Sequence, residues 1–190
     1  MTPQFLKTML DGHLGQIFAT AADIEAAAGQ IARQIDDATW QTPPLLIGVM
    51  KGAAQWTLAV SQQLTIQADL DFVAVSSYTG TKQSLPKLTQ APTLSVTNRH
   101  VILLDEIIDS GVTLAFLIDW LHEQQVASIQ TAVMVNKPVA RQRAVALDYV
   151  GFTLPDVWLV GYGMDLDGAY RNLPVIAEYK TSTSVSTADV

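Results

Sequence analysis

Short apolar runs alternate with amphipathic stretches along most of this chain. Leu45 to Met50 (L-L-I-G-V-M) carries no charged side chain, and an apolar run of that length reads as a strand buried on both faces. Leu70 to Ser77, Val101 to Leu104 and Ser128 to Val135 read as further strands. Between them the period changes. Asp23 to Trp40 places Ile24, Ala27, Ala28, Ile31 and Ile35 at helical spacing, with Thr20 or Asp23 as cap and Pro43-Pro44 as stop. A second helix is expected near Trp56 to Leu64, and a third where Leu114 to Ile118 continues into Trp120 and Leu121. Tyr78 to Asn98 contains Gly80, Pro86 and Pro92 without clear periodicity, which suggests a long loop or an irregular hairpin. Pro138 to Ala144 is a short connector with two arginines, and Asp148 to Arg171 closes the fold. The Ser/Thr-rich stretch 181–190 lacks an apolar face and is expected to be a disordered tail behind a single domain spanning 1–180. Strands alternating with helices predict an α/β fold, a mainly parallel twisted sheet flanked by helices, with ligands at the carboxyl ends of the strands.

Composition sharpens this picture. A chain of 190 residues with 49% hydrophobic and 15% charged residues is long enough for one domain with a sizeable core. It has no cysteine, which removes disulfides, thiolate metal sites and cysteine nucleophiles from consideration. There is no apolar run of membrane-spanning length, and the N-terminus lacks the pattern of a secretion signal, so a cytoplasmic protein without a membrane partner is expected. The net charge of −7 argues against a nucleic-acid partner, because nonspecific binding relies on cationic surface. A small anion remains possible wherever a few cations and helix N-termini converge, and Lys51, Lys137 and Arg171 are available.

The chemistry concentrates in residues 101–114, V-I-L-L-D-E-I-I-D-S-G-V-T-L. A buried strand, the turn Ser110-Gly111-Val112-Thr113 and a helix start make a cradle for a phosphate monoester, with hydroxyls and backbone N–H groups as donors. Asp105, Glu106 and Asp109 would repel that anion unless they hold sugar hydroxyls, a divalent cation or a transferable proton. An ordinary capped turn is the plain alternative. The G-x-x-x-x-G-K-[ST] and G-x-G-x-x-G fingerprints are both absent, so neither a P-loop nor a dinucleotide fold is indicated.

The pattern of an acidic pair, two apolar residues, Asp, Ser, Gly and Thr resembles the phosphoribosyl-pyrophosphate motif of the type I phosphoribosyltransferases. L-I-G-V-M-K-G from Leu46, D-F-V-A-V-S-S-Y from Asp71 and the stretch from Asp148 to Leu173 are similar, in order, to signature segments of the hypoxanthine-guanine phosphoribosyltransferases. The resemblance implies a small hood region and a magnesium-dependent purine salvage reaction. In it, phosphoribosyl pyrophosphate and hypoxanthine or guanine give IMP or GMP and pyrophosphate. A homodimer or homotetramer is also implied.

It further implies residue roles. Asp105, Glu106, Ile108, Asp109, Ser110, Gly111, Val112 and Thr113 would hold the ribose and 5′-phosphate, with Asp109 handling the purine ring proton as the catalytic residue. Lys51 and Gly52, after a cis Met50–Lys51 peptide, would bind pyrophosphate together with Arg171. Lys137, Trp158, Leu159 and Asp165 would surround the purine, Trp158 by stacking. Asp105, Glu106 and Asp165 would serve Mg²⁺, and Ser77-Tyr78 would open a lid. Lys137 donates only, so a 6-oxo purine fits beside it and adenine does not. Glu106 departs from the family's usual Asp. A xanthine-preferring enzyme and a non-catalytic nucleotide sensor on the same fold are the alternatives.

Overall fold

A computed structural model describes residues 2–79, 82–139 and 141–180. Its centre is a six-stranded sheet of β2 (Leu45–Met50), β3 (Asp69–Thr79), β4 (Lys82–Gln90), β5 (His100–Ile108), β6 (Ser128–Asn136) and β7 (Tyr149–Thr153). The strand order is β4-β3-β2-β5-β6-β7, and every pairing is parallel except β3 with β4. The strands progress outward to one side from β2 and to the other side from β5. The crevice between the carboxyl ends of these two central strands is therefore a topological switch point, where open α/β sheets place their ligands.

Period-two alternation divides the core between the two sheet faces. Leu46, Ile102, Leu104, Ala132 and Met134 point toward α2 (Ala21–Asp36) and α3 (Ala54–Ser61), where they meet Ile24, Ile31, Ile35 and Trp56. Leu45, Ile47, Val101, Leu103 and Val133 point the other way, onto Leu114, Leu117 and Leu121 of α4 (Val112–Glu123). The central strands are thus apolar at consecutive positions because both of their faces are covered. Trp56 is fully buried, and its indole N–H is satisfied by the Ala132 carbonyl at 3.2 Å.

Thr20 and Asp23 act together in a capping box at the start of α2. The helix ends at Asp36, short of the expected Trp40, because the Trp40 indole N–H turns back to the Ile35 carbonyl at 2.8 Å. Similarly, α3 ends at Ser61 before the expected Leu64, its last turn closed by the Ser61 hydroxyl on the Leu58 carbonyl. The stretch expected to be a loop or a hairpin is a hairpin through Gln90: β3 and β4 pair with register shifts, Tyr78 opposite Gln83 and Thr79 opposite Lys82. Residues 80 and 81, and the expected tail 181–190, lie outside the described residues.

A second, antiparallel sheet of order β1-β9-β8 is built from β1 (Leu14–Ala19), β8 (Leu159–Val160) and β9 (Ile176–Tyr179). With α1 (Pro3–Met9) it encloses a small core of Leu6, Leu10, Val160, Leu173, Val175 and Ala177. This is the hood, and it brings the 161–171 turns over the switch point. No helix among the described residues is long and apolar enough to cross a membrane.

Candidate active site

The cleft lies at the carboxyl ends of β2 and β5. It is a cavity of about 330 Å³ lined by Lys51, Gly52, Asp105, Glu106, Ile108 to Gly111, Thr113, Asp165 and Arg171, among others. Strand β5 runs past Leu104 to Ile108, because its pairing with β6 continues until Ile108 lies opposite Asn136. The acidic pair therefore sits on the strand itself and not in the turn, while Asp109, Ser110 and Gly111 make a tight connection to α4. Gly111 begins the helix at φ 78°, a left-handed conformation that disfavours a side chain, and a Cβ there would strike the Arg143 carbonyl. The N-cap residue is Gly111, not Asp109 or Ser110. Val112 belongs to the first turn of α4 and does not line the cleft; its N–H leans on the Ser110 hydroxyl at 3.4 Å.

The Met50–Lys51 peptide is cis, as the resemblance implied. Lys51 is exposed at the cleft and Gly52 is buried behind it. Gly52 answers a specific constraint: a Cβ there would coincide with the Glu106 carboxylate, which reaches across from β5. Glu106 thus brings the 51–52 loop and the acidic pair into direct apposition. From the hood, Arg171 pairs with Asp165 at 2.8 Å and donates to the Gly163 carbonyl. Its own carbonyl accepts from the Gln55 side chain at 2.7 Å, which fixes the hood turn to α3.

Electrostatics distinguish the carboxylates. Asp105 is only 7% exposed, and burial pushes its carboxyl well above the usual range; the Glu106 charge and a hydrogen bond donated to Glu106 add to the shift. Burial also raises Glu106, against the opposing pull of the Asp105 hydrogen bond and of Arg171. Two neighbouring acids with raised pKa values form a site that a cation or sugar hydroxyls would relieve. Among the described residues no three carboxylates or imidazoles stand together as a metal cluster, so Asp105, Glu106 and Asp165 do not form a closed protein cage. That donor set suits Mg²⁺, which is ordinarily held by one or two carboxylates and completed by substrate oxygens and water.

A second cavity, of about 160 Å³, adjoins the first and shares Glu106, Ile107, Asp109 and Asp165 with it. Lys137, Val157, Trp158, Leu159 and Met164 complete its lining. Lys137 follows β6 and is buried, whereas Trp158 is 53% exposed and offers an open ring face. Asp167 is exposed, as a surface residue should be. Ser77 and Tyr78 lie in β3 near the hairpin tip, and their side chains are outside the described residues.

Two side chains at the site had no expected role. Arg141 donates to the Asp109 carbonyl at 3.0 Å and to the Asn136 side chain at 2.7 Å, bracing the phosphate loop from behind. Gln142 and Arg143 add two backbone bonds to the Ser110 carbonyl. Asp156 pairs with Lys137 at 2.8 Å. The P-D-V-W run carrying Asp156 lay within a recognised segment, and the two arginines of the connector were evident, but only folding shows what each touches.

These features place an acidic cleft, flanked by Lys51 and Arg171, at the switch point of an α/β sheet. The chain belongs to the phosphoribosyl transferase domain family, whose model matches residues 14–167. Among its relatives, the hypoxanthine-guanine phosphoribosyltransferase of Streptococcus pneumoniae is 32% identical over 174 residues, covering 90% of this chain and 97% of that protein. The enzyme of the same name from Bacillus subtilis is 30% identical over the same length and the same shares. A crystal structure of a hypoxanthine phosphoribosyltransferase from Staphylococcus aureus superposes with a TM-score of 0.86 at 27% identity, covering 93% of this chain and 97% of that one.

Proposed function

We propose that this protein is a magnesium-dependent hypoxanthine-guanine phosphoribosyltransferase of purine salvage, working in the cytoplasm as a homodimer or homotetramer. It transfers phosphoribose from phosphoribosyl pyrophosphate to hypoxanthine or guanine, giving IMP or GMP and pyrophosphate. The observation that carries this reading is the pair of adjoining cavities, one lined by the phosphate loop and Lys51, the other by Lys137 and Trp158, with Asp109 on their shared wall.

The 5′-phosphate rests on the Ser110–Thr113 turn and the start of α4. The ribose hydroxyls lie against Asp105 and Glu106, and the leaving pyrophosphate lies between Lys51 and Arg171. Asp105, Glu106 and Asp165 are the residues that would hold Mg²⁺, and when bound it would supply charge neutralisation for the leaving group. The base stacks on Trp158 with its 6-oxo group toward Lys137, and Asp109 takes the proton from the five-membered ring as the glycosidic bond forms. Positioning and electrostatics supply the rate, and no covalent enzyme intermediate is needed. The hairpin from Ser77-Tyr78 serves as the lid that excludes water.

A steady-state assay with phosphoribosyl pyrophosphate and Mg²⁺ against hypoxanthine, guanine, xanthine and adenine tests the proposal. Turnover of the 6-oxo bases that a chelator abolishes, with no adenine turnover, is expected. Dominant xanthine turnover would select the neighbouring enzyme class, and nucleotide binding without turnover would select a sensor.

A further inference from the structure

Lys137 stands between two carboxylates. Its ammonium lies 2.8 Å from Asp156 and 3.6 Å from Asp109, and its side chain is only 8% exposed. Both ends of the closer pair hang on neighbouring strand ends. The Lys137 N–H is donated to the Ile108 carbonyl, and the turn bearing Asp156 is tied to β6 through the Leu154 N–H on the Asn136 carbonyl, both at 3.0 Å. A buried ammonium has donors only and must place them. With Asp156 taking one, a second remains for the 6-oxo group of the base. Without the Asp156 charge, Asp109 is the remaining carboxylate in reach, and Lys137 would close on it. That movement withdraws the donor from the base and occupies the oxygens that accept its proton.

From this geometry we infer that Asp156 is the positioning residue of the base pocket, the counter-ion that holds Lys137 on the purine and keeps its looser pairing with Asp109 from closing. The inference rests on the base-pocket reading above. It is tested by kinetics of Asp156→Asn and Asp156→Glu in the full chain, varying base and phosphoribosyl pyrophosphate separately. Asp156→Asn is expected to raise KM for hypoxanthine and guanine about tenfold and to lower kcat by a similar factor, a loss of about a hundredfold in kcat/KM that corresponds to about 2.7 kcal/mol, within the range of one charge-assisted hydrogen bond. KM for phosphoribosyl pyrophosphate should stay within about twofold and Asp156→Glu should recover most of both losses, a split that a general structural defect would not produce. Unchanged base kinetics in Asp156→Asn beside an active wild type would overturn the role of Asp156 alone. An equal rise in both KM values that Glu does not rescue would do the same. A wild type inactive on every purine would instead remove the base-pocket reading and the inference with it.

Discussion

The contact between Gly52 and Glu106 makes a quantitative prediction about the acidic pair. A methyl group at position 52 would occupy the space of the Glu106 carboxylate, so either the 51–52 loop or the Glu106 side chain must move from its place in the cleft. Overpacking of this kind costs about 1–3 kcal/mol. Borne by a cleft whose two walls are these loops, that cost corresponds to a loss of about 5- to 150-fold in kcat/KM for Gly52→Ala. Glu106→Asp withdraws the carboxylate by one methylene and leaves room for the methyl. The double variant should therefore be more active than the product of the single effects predicts, with a coupling of about 1–2 kcal/mol, within the usual range for residues in contact. The assay is a double-mutant cycle in kcat/KM for phosphoribosyl pyrophosphate, with urea denaturation of all four proteins to separate local from global effects. Additivity within about 0.5 kcal/mol would refute the reasoning, because it would mean that the two positions do not share the space assigned to them.

Three further outcomes are expected. Thr57 is fully buried on α3 with no partner for its hydroxyl among the described residues, so Thr57→Val should stabilise the fold by about 1 kcal/mol, seen as a rise of about 2–4 °C in Tm. Arg141→Ala removes the brace behind Asp109 and should raise KM for phosphoribosyl pyrophosphate about tenfold, with a smaller change for the base, as initial-rate kinetics would report. Asp105 is raised in the folded protein, so between the ordinary carboxylate pKa and its folded value the native state holds more protons than the unfolded one, and its contribution to stability falls as pH rises through that window. Urea midpoints measured upward from pH 4 without ligands should therefore decline less for Asp105→Asn than for the wild type; parallel profiles would contradict the assignment.

The elements that could be read from the sequence are those whose pattern is local. β2 was legible to the residue, because six apolar positions before a lysine and glycine leave little alternative for a doubly covered strand. α2 was legible at its start, where Thr20 and Asp23 form a cap within four residues, and misread at its end, where a tertiary contact from Trp40 to Ile35 decides. The hood was missed in detail. β8 has two residues and β9 has four, and their partners lie far off in sequence: Leu14 pairs with Tyr179, and the only local sign is weak alternation.

The same distinction governs the site. The strand, turn and helix start of residues 101–114 could be found because they follow one another in a single stretch of chain, so composition and order already state the geometry. Asp156 and Arg141 could not, because each owes its meaning to a partner on another strand end: Lys137 lies across a parallel pairing from Asp156, and the Asp109 carbonyl lies 32 residues before Arg141. The directly reacting groups are carried by short motifs, whereas the groups that hold them are supplied by the sheet, whose parallel register brings the ends of β5, β6 and β7 side by side. A substitution at a motif residue should therefore alter the chemical step itself. One at a supporting residue should alter it through the angle and reach of a neighbour, which is why a conservative replacement such as Asp156→Glu can restore what Asn removes.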